Sequence, residues 1–127
     1  MPDVHAAAIV ACALLALLAG FQLALVLGAP WGRLAWGGGN RVLPTRFRVG
    51  SAVSIAAYAL FAAVILDRAG LAGLMPDGVS AVGIWVLAGY LLIGTVMNLA
   101  SRSIPERAVM TPVAAVLCAA CVLVAVG

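Results

Sequence analysis

The sequence predicts an all-α, membrane-embedded bundle of four transmembrane helices. Of the 127 residues, 66% are apolar and only 9% are charged. A soluble domain of this length cannot bury so many apolar side chains, because its surface is too large relative to its volume. The apolar residues also form four long runs, and a helix needs roughly 20 apolar residues to cross a bilayer. Both observations favour lipid as the surrounding solvent.

Each apolar run predicts one helix, and together the four helices form a single transmembrane domain. The predicted helices span residues 4–28, 49–66, 79–100 and 108–126. The longest connection lies between the first two helices and carries Trp31, Trp36 and three consecutive glycines. No Lys or Arg precedes the first run, so we expect a retained helix there and not a cleaved signal peptide.

Residue signals at the helix ends support these boundaries. Ser103 and Glu106 have the spacing of a capping box, which predicts the start of the fourth helix. Pro44 and Thr45 mark a similar start for the second helix. Small residues recur at every fourth position of the first helix and predict one tight seam along it; they are Ala8, Cys12, Ala16, Gly20, Ala24 and Gly28. The alternative is that this spacing arises by chance in an alanine-rich helix.

Arginine placement predicts how the bundle is oriented. The chain has no lysine, and all seven of its basic side chains are arginine. Six of them flank the first and third connections, which lie on one side of a four-helix bundle: Arg33, Arg41, Arg46, Arg48, Arg102 and Arg107. The positive-inside rule places this side in the cytoplasm, so both termini are expected outside. We expect a multi-pass protein of the bacterial inner membrane.

Polar residues within the predicted helices share a common depth. Six of them fall in the half nearest the arginine-rich connections: Gln22, Ser51, Ser54, Thr95, Asn98 and Thr111. Because polar side chains are costly in lipid, this shared depth predicts a polar vestibule that opens toward the cytoplasm. The alternative is that each polar group hydrogen-bonds locally and has only a structural role.

A repeated arginine pattern predicts an anion site at this vestibule. Residues 41–46 and 102–107 share the pattern R-x-[L/I]-P-x-R, and each precedes a helix that returns from the cytoplasm. Two such hairpins would fit a pseudo-two-fold axis along the membrane normal. Arginines beside helix N-termini attract phosphate or carboxylate, so the predicted ligand-binding residues are Arg41, Arg46, Arg102 and Arg107, with Asn98, Ser101 and Gln22 as neutral partners. The alternative is that these arginines only fix the topology and anchor acidic phospholipids.

The cysteines, the histidine and the net charge bear on redox, metal and nucleic-acid functions. Cys118 and Cys121 lie three apart on one helical face, as a redox-active C-x-x-C requires, but no nearby cation favours the thiolate. Cysteine is also an ordinary small apolar residue in such a helix. The single histidine, His5, has no second ligand, so we expect no metal and no cofactor. The net charge of +3 is too small to suggest nucleic acid.

Several short segments of the sequence resemble those of a family of small bacterial four-helix integral membrane proteins. They are Gly28-Ala-Pro-Trp-Gly32, Ala35-Trp-Gly-Gly38, Val42-Leu-Pro-Thr45, Ser101-Arg-Ser103 and Met110-Thr-Pro-Val113. The resemblance implies the same membrane architecture and brings no activity with it. Small multidrug exporters match less well, because their first helix carries a glutamate where this chain offers only Gln22. Small fluoride channels, like those exporters, include antiparallel dimers, which the six-to-one arginine split disfavours.

The sequence leaves three functions open. The first is binding of an anionic lipid head group or small anion at the vestibule, which describes a binding protein more than an enzyme. The second is a small transporter or channel that acts as an oligomer, since four short helices enclose little space. The third is a membrane thiol oxidoreductase that uses Cys118 and Cys121. The expected partners are membrane lipids, with further copies of the chain or a larger membrane complex.

Overall fold

The computed structural model describes residues 3–127, and within this range it is a bundle of four long helices with no strand. The helices are α1 (Val4–Val26), α2 (Thr45–Arg68), α3 (Asp77–Leu99) and α4 (Ile104–Val126), with short 3₁₀ turns at Gly32–Leu34 and Trp36–Gly38. All four are long and apolar enough to cross a membrane. The predicted four-helix membrane bundle is confirmed, and the chain is a multi-pass membrane protein.

Two helices extend further than their apolar runs predict. Both α2 and α4 begin four residues earlier than predicted, at Thr45 and Ile104. Backbone hydrogen bonding continues through polar residues as long as their side chains reach the interface, so apolarity alone understates the helix length. In contrast, α1 ends two residues early, at Val26, because the chain turns at Gly28 with φ +96°, where glycine is favoured.

Each helix packs mainly on two others: on its neighbours in the chain and, for α1 and α4, on each other. α1 packs on α2 and α4, and α3 packs on α4 and α2. Val4 of α1 touches Gly127, just after α4, so the start of α1 and the end of α4 lie together at one end of the bundle. The connections 27–44 and 100–103 meet at the other end, where Ser103 contacts Gly38. We call this second end the arginine-rich end.

Small side chains contribute to the core in the half of the bundle away from the arginine-rich end. Ala8 and Ala11 of α1 are fully buried, and the main core joins them to side chains of the other three helices. The predicted seam along all of α1 is wrong at Ala16 and Gly20, which are exposed, while Ala24 and Gly28 are half-buried. A four-residue spacing advances about 40° per step around a helix of 3.6 residues per turn, so the stripe leaves the interface.

The long connection between α1 and α2 folds back over the bundle and packs against it. Leu25, Ala35 and Leu43 form a second buried cluster at the arginine-rich end. Beside it, the ring of Trp36 stacks on Phe47 at 5.3 Å, and its Nε1 donates a hydrogen bond to Ser51 Oγ at 3.1 Å. Residues 31–38, which we call the cap, therefore cover this end of the helices.

At Gly38 of the cap, both the backbone conformation and the packing exclude a side chain. Gly38 has φ +72°, and a Cβ at this position would collide with the side chain of Ser103. The hydroxyl of Ser103 donates to the carbonyl of Arg33 at 2.5 Å, which fastens the cap to the start of α4. The glycine-rich segment is thus an ordered turn held against the third connection.

Candidate functional site

A cavity of about 340 Å³ lies inside the arginine-rich half of the bundle. All four helices and the cap line it, with Leu34, Ala35 and Trp36 as its roof and apolar side chains such as Leu15, Leu91 and Leu117 deeper inside. Its polar lining residues are Gln22, Ser54, Tyr58, Tyr90, Asn98 and Glu106. The volume falls in the lower part of the range of small-molecule sites, about 300–1,000 Å³, and a mainly apolar wall with a few polar groups is typical of them.

The exposure of its lining residues indicates that the cavity opens sideways, between α2 and α3. Tyr90 and Met97 of α3 line it, yet 60% and 69% of their surface is exposed on the outside of the bundle. Two contacts between these helices, Val64 with Gly83 and the rings of Phe61 and Tyr90 at 5.5 Å, lie farther from the arginine-rich end than Met97 does. Since the outside of a transmembrane bundle faces lipid, a molecule can reach the cavity from the bilayer.

Gln22 brings an amide into this apolar setting with only one of its two polar atoms hydrogen-bonded. The residue is 8% exposed, and its Nε2 donates to the hydroxyl of Tyr58 at 3.3 Å. Its Oε1 is buried without a partner. Turning the amide over would leave the nitrogen unpaired instead, so one amide atom stays unsatisfied in either orientation. Such an atom costs about 1–3 kcal/mol when it is withdrawn from water.

Glu106 is the charged side chain of the cavity wall. Ser103 caps α4 as predicted, because its Oγ accepts from the backbone N–H of Glu106 at 3.4 Å. The second half of the predicted capping box is wrong: the carboxylate does not return to Ser103 but is turned inward, only 7% exposed. There it accepts hydrogen bonds from the hydroxyl of Ser101 and from the N–H of Gly37 at 3.3 Å. It thereby links the cap, the third connection and α4.

Aromatic rings make up much of the remaining wall. Phe21, Trp36, Tyr58, Phe61 and Tyr90 all line the cavity. Phe61 pairs with Tyr58 at 6.2 Å and with Tyr90 at 5.5 Å between ring centroids, in tilted geometry. Aromatic faces are electron-rich, so they suit either an acyl chain or a weakly hydrated cation.

The structure divides the predicted ligand residues into two groups. Gln22 and Asn98 line the cavity, and Ser101 contacts Glu106 beside it. The four arginines are exposed outside it: Arg41, Arg46, Arg102 and Arg107. Arg46 lies over the ring of Phe47 at 4.6 Å, and Arg107 donates to the carbonyl of Ser101 at 3.4 Å. The guanidinium groups thus surround the arginine-rich end and leave the interior without a positive side chain.

A shallow surface depression at the arginine-rich end holds two of the six arginines. Arg33 and Arg102 line it together with Gly37, Gly38 and Ser103. It adjoins the cavity, because Gly37 also donates to the inward carboxylate of Glu106. The sequence pattern named Arg102 as a ligand residue and Arg33 only as a topology signal. Folding of the cap is what brings Arg33 next to Arg102.

The other polar residues of the predicted vestibule hydrogen-bond mainly within the protein. Ser54 and Thr95 donate to carbonyls of their own helices, at 2.9 and 2.7 Å. Ser51 accepts from Trp36, whereas the buried hydroxyl of Thr111 has no partner. Local hydrogen bonding, which was the alternative to a vestibule, therefore accounts for part of the set, while Gln22, Ser54 and Asn98 line the cavity.

The two arginine elements do not begin their helices in the same register. In residues 41–46 the proline precedes α2, whereas in residues 102–107 the proline is the second residue of α4. Leu43 is 2% exposed, but Ile104, which occupies the matching position, is 67% exposed. The repeated letters thus have different surroundings in the two hairpins.

The cysteines lie toward the other half of the bundle. Cys121 is fully buried in the main core, and Cys118 directs its thiol to the carbonyl of Ala88 at 3.4 Å. Both are free thiols, as is Cys12. Among residues 3–127, no three His, Cys, Asp or Glu side chains come together as a metal site.

Sequence reasoning missed two contributors to the cavity, Glu106 and Trp36. Glu106 was already explained as part of a helix cap and Trp36 as an aromatic ring at the membrane interface. Neither residue therefore indicated a cavity from the sequence. Comparison of the chain with protein-family models, curated proteins and solved structures gives no match. The resemblance to small bacterial four-helix proteins therefore stays a prediction, and the argument for function depends on the cavity.

Proposed function

We propose that this protein binds a phospholipid taken from the surrounding bilayer. The acyl chain would enter between α2 and α3, and the phosphate would remain at the arginine-rich end. The observation that carries this proposal is an aromatic and aliphatic cavity, lined in part by exposed residues of α3, in the half of the bundle whose end exposes several arginines. A molecule that matches both features has an apolar tail and an anionic group at one end.

The cavity interior supports binding of the tail. Its deeper wall is formed by Leu15, Phe61, Leu91 and Leu117, and no charged side chain lies among them. Transfer of a chain from lipid to protein gains little hydrophobic energy, because both surroundings are apolar. Retention therefore depends on packing contacts and on the polar end group.

The exposed arginines support binding of the phosphate. Arg33 and Arg102 share the depression next to the cavity, and planar guanidinium groups form paired hydrogen bonds with phosphate oxygens. The remaining predicted residues, Arg41, Arg46 and Arg107, add positive charge around the same end. Each basic side chain near an anionic surface contributes about 1 kcal/mol of attraction.

The arginine distribution also supports a specific placement in the cell. By the positive-inside rule, the arginine-rich end faces the cytoplasm, and the start of α1 and the end of α4 lie on the outer side. We propose the bacterial inner membrane as the location. The bound lipid would then come from the cytoplasmic leaflet.

A pair of glycine variants in α3 tests the proposal. Gly94 lines the cavity and Gly89 is exposed elsewhere on the same helix, and a Cβ at either position meets no atom within 4 Å. Gly94→Leu should fill the cavity and lower the amount of phospholipid that remains bound in native mass spectrometry. Gly89→Leu makes the same chemical change outside the cavity and should leave the bound lipid unchanged. Equal lipid retention in both variants would contradict the proposal.

Transport is a second candidate, favoured by the polar groups inside the bundle. The cavity ends at the main core, where Ala8, Ala11 and Ile84 are fully buried. Within residues 3–127, these buried side chains close the cavity toward the opposite end of the bundle, so transport would require an oligomer or a second conformation. Solute uptake into proteoliposomes that Gly94→Leu abolishes and Gly89→Leu preserves would favour this candidate.

A further inference from the structure

We infer that the amphiphile bound in this cavity carries an ammonium group, which the carboxylate of Glu106 receives. The inference deepens the proposed function and rests on it, because it names the chemistry of the head group at the same site. The ligand class is a long-chain amphiphile with a protonated amine. A phospholipid whose amine follows its phosphate and a single-chain alkylammonium share this chemistry.

The charge inside the cavity has only one sign. Glu106 lines the wall, 7% exposed, while none of the seven arginines does. Its two oxygens receive one hydrogen bond each, from Ser101 and Gly37, and both donors are neutral. A carboxylate can accept about four hydrogen bonds, so acceptor capacity remains for a ligand. A buried carboxylate without a cationic partner favours a positive ligand over an anion.

Gln22 supplies an independent sign that the cavity binds a ligand with a polar group. This side chain is more than nine-tenths buried at the cavity wall, and one atom of its amide has no partner. The unpaired atom is an acceptor in one orientation of the amide and a donor in the other. A ligand with a polar group beside its acyl chain would satisfy this atom, while the sign of the ligand charge follows from Glu106.

The aromatic wall supports a cation as well. The rings of Trp36, Tyr58 and Tyr90 line the cavity along with Glu106. A cation within about 6 Å of an aromatic face is attracted to it, and more strongly where water is excluded. An anion gains nothing from these faces. The ammonium would therefore meet one carboxylate in a cavity whose wall is otherwise neutral and partly aromatic.

The position of Glu106 is compatible with a phosphate outside the cavity. Arg102 lies four residues before Glu106 and faces the surface depression, whereas the carboxylate faces inward. The N–H of Gly37 belongs to the depression and bonds to that carboxylate. A zwitterionic head group could thus span the boundary, with its phosphate at Arg33 and Arg102 and its ammonium toward Glu106.

Binding of matched amphiphiles to the full-length protein in dodecyl maltoside micelles tests the inference. The single-chain probes are dodecylammonium and dodecanol, and the two phospholipid probes are phosphatidylethanolamine and phosphatidylglycerol with identical chains. Wild type should bind each amine at least tenfold more tightly than its matched partner, which corresponds to about 1.4 kcal/mol. A preference in only one pair identifies which amine source the cavity accepts.

Glu106→Gln should reduce that preference to less than threefold. Glutamine keeps an oxygen for the Gly37 N–H, and unchanged dodecanol binding would show that the cavity is intact. Asp77→Asn is the matched control, because Asp77 is also in the first turn of a helix but is exposed at the other end. A preference that survives Glu106→Gln, or that falls equally in Asp77→Asn, would overturn the inference.

The two proposals fail in different ways. If Gly94→Leu leaves the binding of every amphiphile unchanged, the cavity is not the site and the proposed function fails. If Gly94→Leu abolishes binding but Glu106→Gln weakens dodecylammonium and dodecanol equally, the cavity binds lipid and only the ammonium assignment is wrong.

Discussion

Replacing Gln22 with leucine should stabilise the empty protein. The buried Oε1 has no partner, and removing it recovers about 1–3 kcal/mol of desolvation cost. The substitution also removes the hydrogen bond from Nε2 to Tyr58, and interhelical bonds in membranes average about 0.6 kcal/mol. Leucine is close to glutamine in size, so the cavity keeps its shape. We therefore expect Gln22→Leu to raise the free energy of unfolding by about 0.5–2 kcal/mol.

Tyr58→Phe supplies the comparison that identifies the cause. This variant leaves both polar atoms of the Gln22 amide unpaired, so we expect it to lower the free energy of unfolding by about 1–3 kcal/mol. The double variant has no unpaired amide and should be more stable than Tyr58→Phe alone. A double-mutant cycle measured by equilibrium unfolding in mixed micelles gives the coupling between the two residues. A double variant less stable than Tyr58→Phe would refute the reasoning.

Three more predictions follow from the cap, the arginines and the thiols. Gly38→Ala should lower the free energy of unfolding by at least about 2 kcal/mol, since φ +72° and the contact with Ser103 both exclude a Cβ; a thermal unfolding midpoint equal to that of Gly37→Ala, which has positive φ without the contact, would contradict it. Glutamine should replace four arginines together: Arg41, Arg46, Arg102 and Arg107. This variant should lose the thermal stabilisation that added anionic phospholipid gives the wild type, whereas Arg68→Gln at the other end should keep it. Cys118 and Cys121 should resist N-ethylmaleimide in the folded protein and react after unfolding in dodecyl sulfate, and rapid labelling of either thiol in folded protein would revive the oxidoreductase hypothesis.

The helices were predictable because length and apolarity suffice for them. An uninterrupted apolar run of this size has one stable form in lipid, whatever its neighbours are, so four runs predicted four helices. Their ends depend on single residues. Pro44 marked the start of α2 correctly, but the apolar count placed that start four residues late because it excluded Arg46 and Arg48.

The site was only partly predictable, because it depends on contacts between distant parts of the chain. Gln22 and Asn98 could be named, since polar residues inside an apolar run are conspicuous. Glu106 could not, because its bond with Gly37 joins residues 69 positions apart. The arginines were conspicuous for a different reason: residues that fix topology remain at the head-group level, outside the space that the helices enclose.

The proposed entry of lipid between α2 and α3 would change what controls occupancy of the protein. A site that is filled through the hydrocarbon interior experiences the mole fraction of each lipid in its leaflet, not an aqueous concentration. Even a weak intrinsic preference can then produce substantial occupancy, because membrane lipids are abundant in two dimensions, and exchange follows lateral diffusion. Cells that altered their head-group composition would alter the fraction of protein in the loaded form without synthesising any new ligand.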